Sequence, residues 1–247
     1  MLMFLWLFQQ LFVVLWVLWQ LKIVSQANKG YMRKLITLLI IPLLLTGCNP
    51  HEVKLANRII KSSIVIKVKV KDMETGREGW ALCSGTQLKE GILTNAHCFE
   101  EDKYEIKQLW IRGYDGKSWK ATIEKIDVDK DLALLHSDAH YTNATLSGSP
   151  LKQGEAVYAI GHGLGLENTF SVGICSFINR RLAKRDNIHY IQTTMPINGG
   201  FSGSGLYNSK GQLCGVNEAV ITPDFLFHSW SGITLAIGLQ DVKEFLK

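Results

Sequence analysis

The chain has 247 residues, 47% of them hydrophobic, and a formal net charge of +5. Residues 1–48 hold Lys22, Lys29, Arg33 and Lys34 with no Asp or Glu, so only about +1 remains for the rest of the chain. That nearly neutral remainder has no Lys/Arg run interleaved with aromatics, which excludes a nucleic-acid partner, and its length suits one or two domains.

The first predicted element is apolar. Residues 1–21 are broken only by Gln9, Gln10 and Gln20, long enough to span a bilayer. Residues 1–31 are read as an extension upstream of a second start at Met32. There "MRKLITLLIIPLLLTGC" supplies a short basic segment, an apolar run and small residues before Cys48, the architecture of a secretory signal. Leu45-Thr46-Gly47-Cys48 resembles the lipobox of bacterial lipoproteins. That resemblance implies a signal peptide over 32–47, a lipid on Cys48 and a membrane anchor at the bacterial envelope. Asn49, where an Asp would retain the protein at the inner membrane, is similar to outer-membrane sorting patterns. Residues 48–60 are polar without a clear period and are expected to be a tether, leaving 61–247 as the folded domain. Apart from Cys48 there are four cysteines, Cys83, Cys98, Cys175 and Cys214. An even number fits an oxidising compartment, and three pairings are possible.

From residue 61 onward the pattern is that of strands. "IVIKVKV" alternates, placing Ile64, Ile66, Val68 and Val70 on one face and Lys67 and Lys69 on the other. "GWALCSGTQL" and "GILTNAHC" follow. "KQLWIRG", "YDGK" and "SWKATIEKI" read as a hairpin turning at Asp115-Gly116. "LALLHS", "AVYAIG", "FSVGICSFI" and "HYIQTT" come next, then a hairpin about Ser209-Lys210-Gly211. "ITLAIG" precedes a short amphipathic helix, "LQDVKEFL". Many short strands with glycine-rich turns predict an all-β barrel or sandwich.

Within this pattern, "GGFSGSG" (residues 199–205) sets Ser202 on a permissive turn. A serine becomes nucleophilic only when a base takes its proton. His97 lies at a strand end, between Ala96 and Cys98. Asp131 directly precedes the apolar run Leu132-Ala133-Leu134-Leu135, where an acid is costly unless it is hydrogen-bonded. An imidazole Nδ1–H would meet that need and fix the tautomer. Asp127 and Asp129 lie in the more polar approach.

"LTNAHCF", "DKDLALL" and "INGGFSGSGL", in that order, resemble the trypsin-like serine peptidases, which run His, Asp, Ser along the chain. The likeness spans about residues 60–245 and is strongest to bacterial HtrA-type peptidases, without a PDZ domain. It implies an all-β fold of two perpendicular six-stranded antiparallel β-barrels with a short C-terminal helix. It makes His97 the general base, Asp131 the orienting acid and Ser202 the nucleophile, with the N–H groups of Gly200 and Ser202 as the oxyanion hole. It places Pro196, Ile197, Asn198, Val216, Asn217 and Glu218 around the substrate pocket, where Pro196 in place of a trypsin-type Asp implies small or medium apolar residues rather than Lys or Arg. Cys83 and Cys98 match the disulfide beside the catalytic histidine of animal trypsins. Cys175 and Cys214 are then left as either a second disulfide or two buried thiols.

Two positions depart from the family. Phe201 stands where animal trypsins have an Asp that pairs with a new N-terminus, so it either packs beneath the oxyanion loop or perturbs it. Ser204 stands where a Gly is usual. His162 has no second His four residues on and is expected in a loop near the active face; His136 and His140 are four apart but lack a metalloprotease glutamate between them and are expected at the surface, with no metal or other cofactor. The expected function is a serine endopeptidase acting on exported or misfolded polypeptides. The alternative is an inactive trypsin-like binding or structural lipoprotein.

Overall fold

The computed structural model describes residues 50–99, 104–182, 185–220 and 232–247. The extension, the signal segment and the lipidation site at Cys48 lie outside them. Among the described residues no helix is long and apolar enough to cross a membrane.

Two seven-stranded sheets build the domain. The first comprises β1 (Ser63–Asp72), β2 (Glu78–Gln87), β3 (Ile92–Thr94), β4 (Tyr104–Gly113), β5 (Ser118–Lys120), β6 (Thr122–Asp127) and β7 (Leu132–His136). Their spatial order is β5-β4-β1-β2-β3-β7-β6. Only Ala121 separates β5 from β6, so one bent segment pairs with β4 at one end and β7 at the other and curls the sheet. The second sheet comprises β8 (Thr145–Leu146), β9 (Ala156–Gly161), β10 (Thr169–Leu182), β11 (Arg185–Thr193), β12 (Gly205–Tyr207), β13 (Gln212–Val220) and β14 (Thr234–Gly238). Its order is β12-β9-β10-β11-β14-β13, and β12 also pairs β13, which closes a six-stranded barrel; β8 adds outside in parallel. The all-β expectation holds, with one half a closed barrel and the other a curled sheet.

The expected turns are in place. Gly116 takes φ +78° and Gly211 φ +69°, a region open to glycine at little cost. In the second hairpin the Asn208 carboxamide oxygen also accepts the Lys210 and Gln212 N–H groups.

The run Leu132–Leu135 is buried on both faces, and its period of two decides where each side chain goes. Ala133 and Leu135 join Ile64, Ile66, Val68, Leu109 and Ile111 inside the first sheet. Leu132 and Leu134 point the other way, to Tyr158, Tyr190, Val216 and Leu235 of the second. Ile92 and Leu93 divide in the same manner. β3 and β7 therefore form the seam between the two halves, and whatever follows β3 or precedes β7 is delivered to that seam.

Residues expected to be a tether are instead a helix, α1 (Pro50–Ile59). Leu55 and Ile59, four apart, are buried in the cluster that joins the sheets. The Arg58 guanidinium donates to Lys210 O at 2.8 Å. One apolar pair in a polar window is too weak a period to read without the surface that receives it. The C-terminal helix, α2 (Leu239–Phe245), inserts Val242 and Phe245 into the same cluster. The buried Asp241 carboxylate accepts the His189 backbone N–H at 2.8 Å and lies 3.5 Å from Lys130 Nζ.

Candidate active site

His97 follows β3 in a 3-10 turn, Ala96–Phe99. Asp131 ends the β6–β7 turn at φ +52°, where its N–H reaches Val128 O at 3.3 Å. The seam brings the two together. The Asp131 side chain is 2% exposed and receives His97 twice: the backbone N–H on Oδ1 and ring Nδ1 on Oδ2, each at 2.8 Å. An Nδ1–H donated to a carboxylate fixes the tautomer that leaves Nε2 as the acceptor. Asn95 donates to Asp131 O at 2.9 Å, bracing the acid from its own main chain.

Ser202 arrives from the second sheet. Its carbonyl accepts the Ser84 N–H at 2.7 Å, and its Oγ donates to Glu218 O at 3.1 Å. A hydroxyl has one proton, so in this arrangement it cannot also donate to His97. Gly203 (φ +86°) lies so close to Ser84 O and Thr94 Oγ1 that a Cβ would overlap both. Ahead of Ser202, the Phe201 N–H bonds Asn198 O at 3.0 Å across a turn with Gly200 at φ +101°. Positive φ at the third turn position calls for glycine. A Cβ there would also stand 2.6 Å from His162 O. Ser84 Oγ donates to Gly200 O at 2.6 Å, holding that carbonyl turned away. The N–H groups of Gly200 and Ser202 donate to none of the described residues. This is a pair of donors of the kind a developing oxyanion needs.

Of the two readings of Phe201, the first holds. Its ring is 2% exposed, packed with Leu151, Val157, Met195, Ile197 and Leu206. It lies against Gly161 and Gly163, on either of which a Cβ would overlap it. His162 between them lies in a loop beside Gly200, as expected, and is wholly buried. It accepts Asn168 N–H on Nδ1 at 3.0 Å, and burial lowers its pKa to about 4, so it is neutral. Ser204 is buried and its Oγ accepts from Asn217 Nδ2 at 3.0 Å, which withdraws it as a rival nucleophile.

The six residues expected around a substrate pocket have varied surroundings among the described residues. Pro196 and Asn198 are exposed; Ile197 packs with Phe201; Val216 lies in the central cluster; Asn217 binds Ser204. Glu218 pairs with Arg185, Oε1 to Nη1 2.8 Å. A strand that starts inside a barrel buries its side chains before it reaches the cleft, and residues 221–231 beyond it lie outside the described set. Two surface hollows, about 300 Å³ beside Gln87 and His140 and about 370 Å³ beside Pro150 and Lys243, involve none of His97, Asp131 or Ser202. No group of residues that could hold a metal ion occurs among the described residues.

Cys83 and Cys98 are bonded, with Cα atoms 6.3 Å apart. The bond ties β2 to the His97 turn. Cys175 and Cys214 are not; both are buried thiols in the Phe201 cluster, and burial raises Cys214 to about 11. The second-disulfide option is thereby corrected: each sulfur fills core space as a small apolar group.

The trypsin-like peptidase domain model matches residues 83–216, more than half of the chain. The chain belongs to the trypsin-like peptidase family. This trypsin-like peptidase is 37% identical over 163 residues to the mitochondrial serine protease HTRA2 of Drosophila erecta, and equally so to that of Drosophila sechellia. The match takes in 63% of this chain and 36% of each relative, so the chain spans about a third of their length. Among solved structures it is similar to the HtrA-type protease AlgW with tripeptide, at 27% identity and a TM-score of 0.66, covering 77% of this chain and 60% of that one. By family it is thus a trypsin-like peptidase similar to HtrA-type proteases, with a fold consistent with the trypsin-like double barrel.

The sequence reading missed the parts of the site that carry no chemistry of their own: Ser84, Thr94, Asn95 and Arg185. Asn95, two residues from His97, was within reach of the motif. Arg185 lies in a run of charges with nothing to single it out.

Proposed function

We propose that this trypsin-like peptidase is a serine endopeptidase that hydrolyses exported or misfolded polypeptides through an acyl-enzyme. The observation that supports this best is the buried Asp131 gripping His97 by both backbone and ring at 2.8 Å, at the seam where Ser202 is presented. In the first half-reaction the Ser202 hydroxyl leaves Glu218 O, gives its proton to His97 Nε2 and attacks the substrate carbonyl. Asp131 stabilises the imidazolium. Charge developing on the carbonyl oxygen is met by the Gly200 and Ser202 N–H groups, each such donor worth about 3 kcal/mol in the transition state. His97 then protonates the leaving amine, and water attacks the acyl-enzyme by the same route in reverse.

The test is labelling by a fluorophosphonate probe. The native protein is expected to be labelled and Ser202→Ala is not. One observation favours the alternative, an inactive binding lipoprotein: Ser202 Oγ rests on Glu218 O at 3.1 Å. A folded native protein that the probe never labels would establish that alternative.

The place of action is proposed as the bacterial envelope, with the domain lipid-anchored through Cys48 and facing the periplasm, at the outer membrane. The support is the signal segment and lipobox-like tetrapeptide before Cys48. Metabolic labelling with an alkyne fatty acid checks it: incorporation that persists in Cys48→Ala rules it out.

A further inference from the structure

Beside the His97–Asp131 pair stand two charged side chains that the mechanism leaves unused. Arg185 Nη1 lies 2.8 Å from Glu218 Oε1 and 3.6 Å from Asp131 Oδ2. One guanidinium therefore serves two carboxylates, one from each half of the domain: Asp131 from the turn before β7, Glu218 from β13. Arg185 itself opens β11. The Glu218 side chain is only 11% exposed, whereas Arg185 is 41% exposed. Glu218 is tied to the site a second time, because its main-chain oxygen holds the Ser202 hydroxyl.

Other charged groups nearby turn elsewhere. Lys130, next to Asp131 in the chain, binds Glu244 at 2.6 Å and faces Asp241. The Tyr190 hydroxyl of β11 and Glu218 Oε2 are both buried beside Arg185, and each alters the titration of the other. Burial first, and the Asp131 charge second, raise the Glu218 carboxyl above its ordinary range, while the Tyr190 hydroxyl, then Arg185 and His97, oppose this. With His97 protonated, as peptide hydrolysis demands midway, the four groups sum to zero charge. Removing Arg185 leaves two carboxylates beside the imidazolium; removing the Glu218 charge leaves a cation that opposes it.

We propose that Arg185 and Glu218 are positioning residues of this active site, an ion pair that sets the charge felt by His97 and Asp131 and holds Glu218 O against Ser202. The proposal rests on the peptidase reading above. Its distinguishing consequence is that the two removals act in opposite directions, which a purely structural role would not produce.

The experiment follows the rate of fluorophosphonate labelling against pH for the full chain and for Arg185→Gln, Arg185→Lys, Glu218→Gln and the Arg185→Gln/Glu218→Gln pair. In Arg185→Gln the midpoint of the acid limb is expected to rise by about one pH unit or less, and in Glu218→Gln to fall by a similar amount. Arg185→Lys stays near the native midpoint, and the double variant lies between the single ones. Midpoints that coincide with the native one in both single variants, or that move the same way, overturn the proposal. Should Arg185→Gln not fold, the isosteric Glu218→Gln decides alone: an unmoved midpoint defeats the idea. Titration of the His97 ring by NMR reads the same shifts without turnover. A native protein that does not label therefore counts against the peptidase reading, while the ring titration still decides this one.

Discussion

Gly200 and Phe201 show how two neighbouring residues divide the work of the turn before Ser202. Gly200 needs φ +101° and leaves room for His162 O; no other residue meets both demands without strain. Gly200→Ala is expected to remain folded by near-ultraviolet circular dichroism and to lose most labelling by the fluorophosphonate, because its N–H is turned from the oxyanion position. Phe201 anchors the same turn from below. Truncating a buried Phe costs about 3 to 5 kcal/mol. In Phe201→Asp an unpaired carboxylate is buried as well, and none of the described basic side chains bonds or ion-pairs at that position. Urea unfolding of Phe201→Asp is expected to show a loss of at least about 3 kcal/mol. A variant as stable as the native protein would show that the ring is not the anchor.

Among the elements, α1 makes the clearest departure from expectation. A tether would tolerate any substitution, whereas a docked helix would not. Leu55→Ala and Ile59→Ala are each expected to cost about 2 to 5 kcal/mol in denaturant unfolding, while Lys54→Ala on the open side is expected to be near neutral. The β2 link to the His97 turn gives a second element-scale expectation. Closing a loop of this size contributes roughly 3 kcal/mol by constraining the unfolded chain. Alkylation under denaturing conditions followed by peptide mapping should modify Cys175 and Cys214 directly, and Cys83 and Cys98 only after reduction. Direct modification of Cys83 would contradict the bond.

At the scale of the whole molecule, stability should depend on acid through His162. Burial puts its pKa at about 4, below the 6.5 of an exposed imidazole. Between those values the unfolded chain takes up a proton that the folded one does not. The contribution is thus complete above pH 6.5 and is lost as pH falls toward 4, by roughly 3 kcal/mol in all. His162→Gln is expected to lower the melting temperature at pH 7 yet flatten its fall between pH 7 and 4.5, measured in a Ser202→Ala background to prevent self-cleavage. Parallel slopes in the two proteins would locate the acid sensitivity elsewhere.

His97, Asp131 and Ser202 could be named from the chain because each lies in a short motif whose chemistry depends on its immediate neighbours: a strand end, a buried run, a glycine turn. The alternation in β1 and the Asp-Gly hairpin were legible for the same reason, since period and turn type are local. What the sequence could not assign were the partners of residues whose role is defined across the seam. Leu132 and Ala133 look alike in the chain, yet pleating sends them to different cores. Glu218 looked like pocket lining, and only the approach of β11 made it the partner of Arg185. Leu55 and Ile59 looked like a tether until a surface existed to bury them. Burial and ion pairing are properties of two surfaces brought together, and one strand of sequence specifies only its own side.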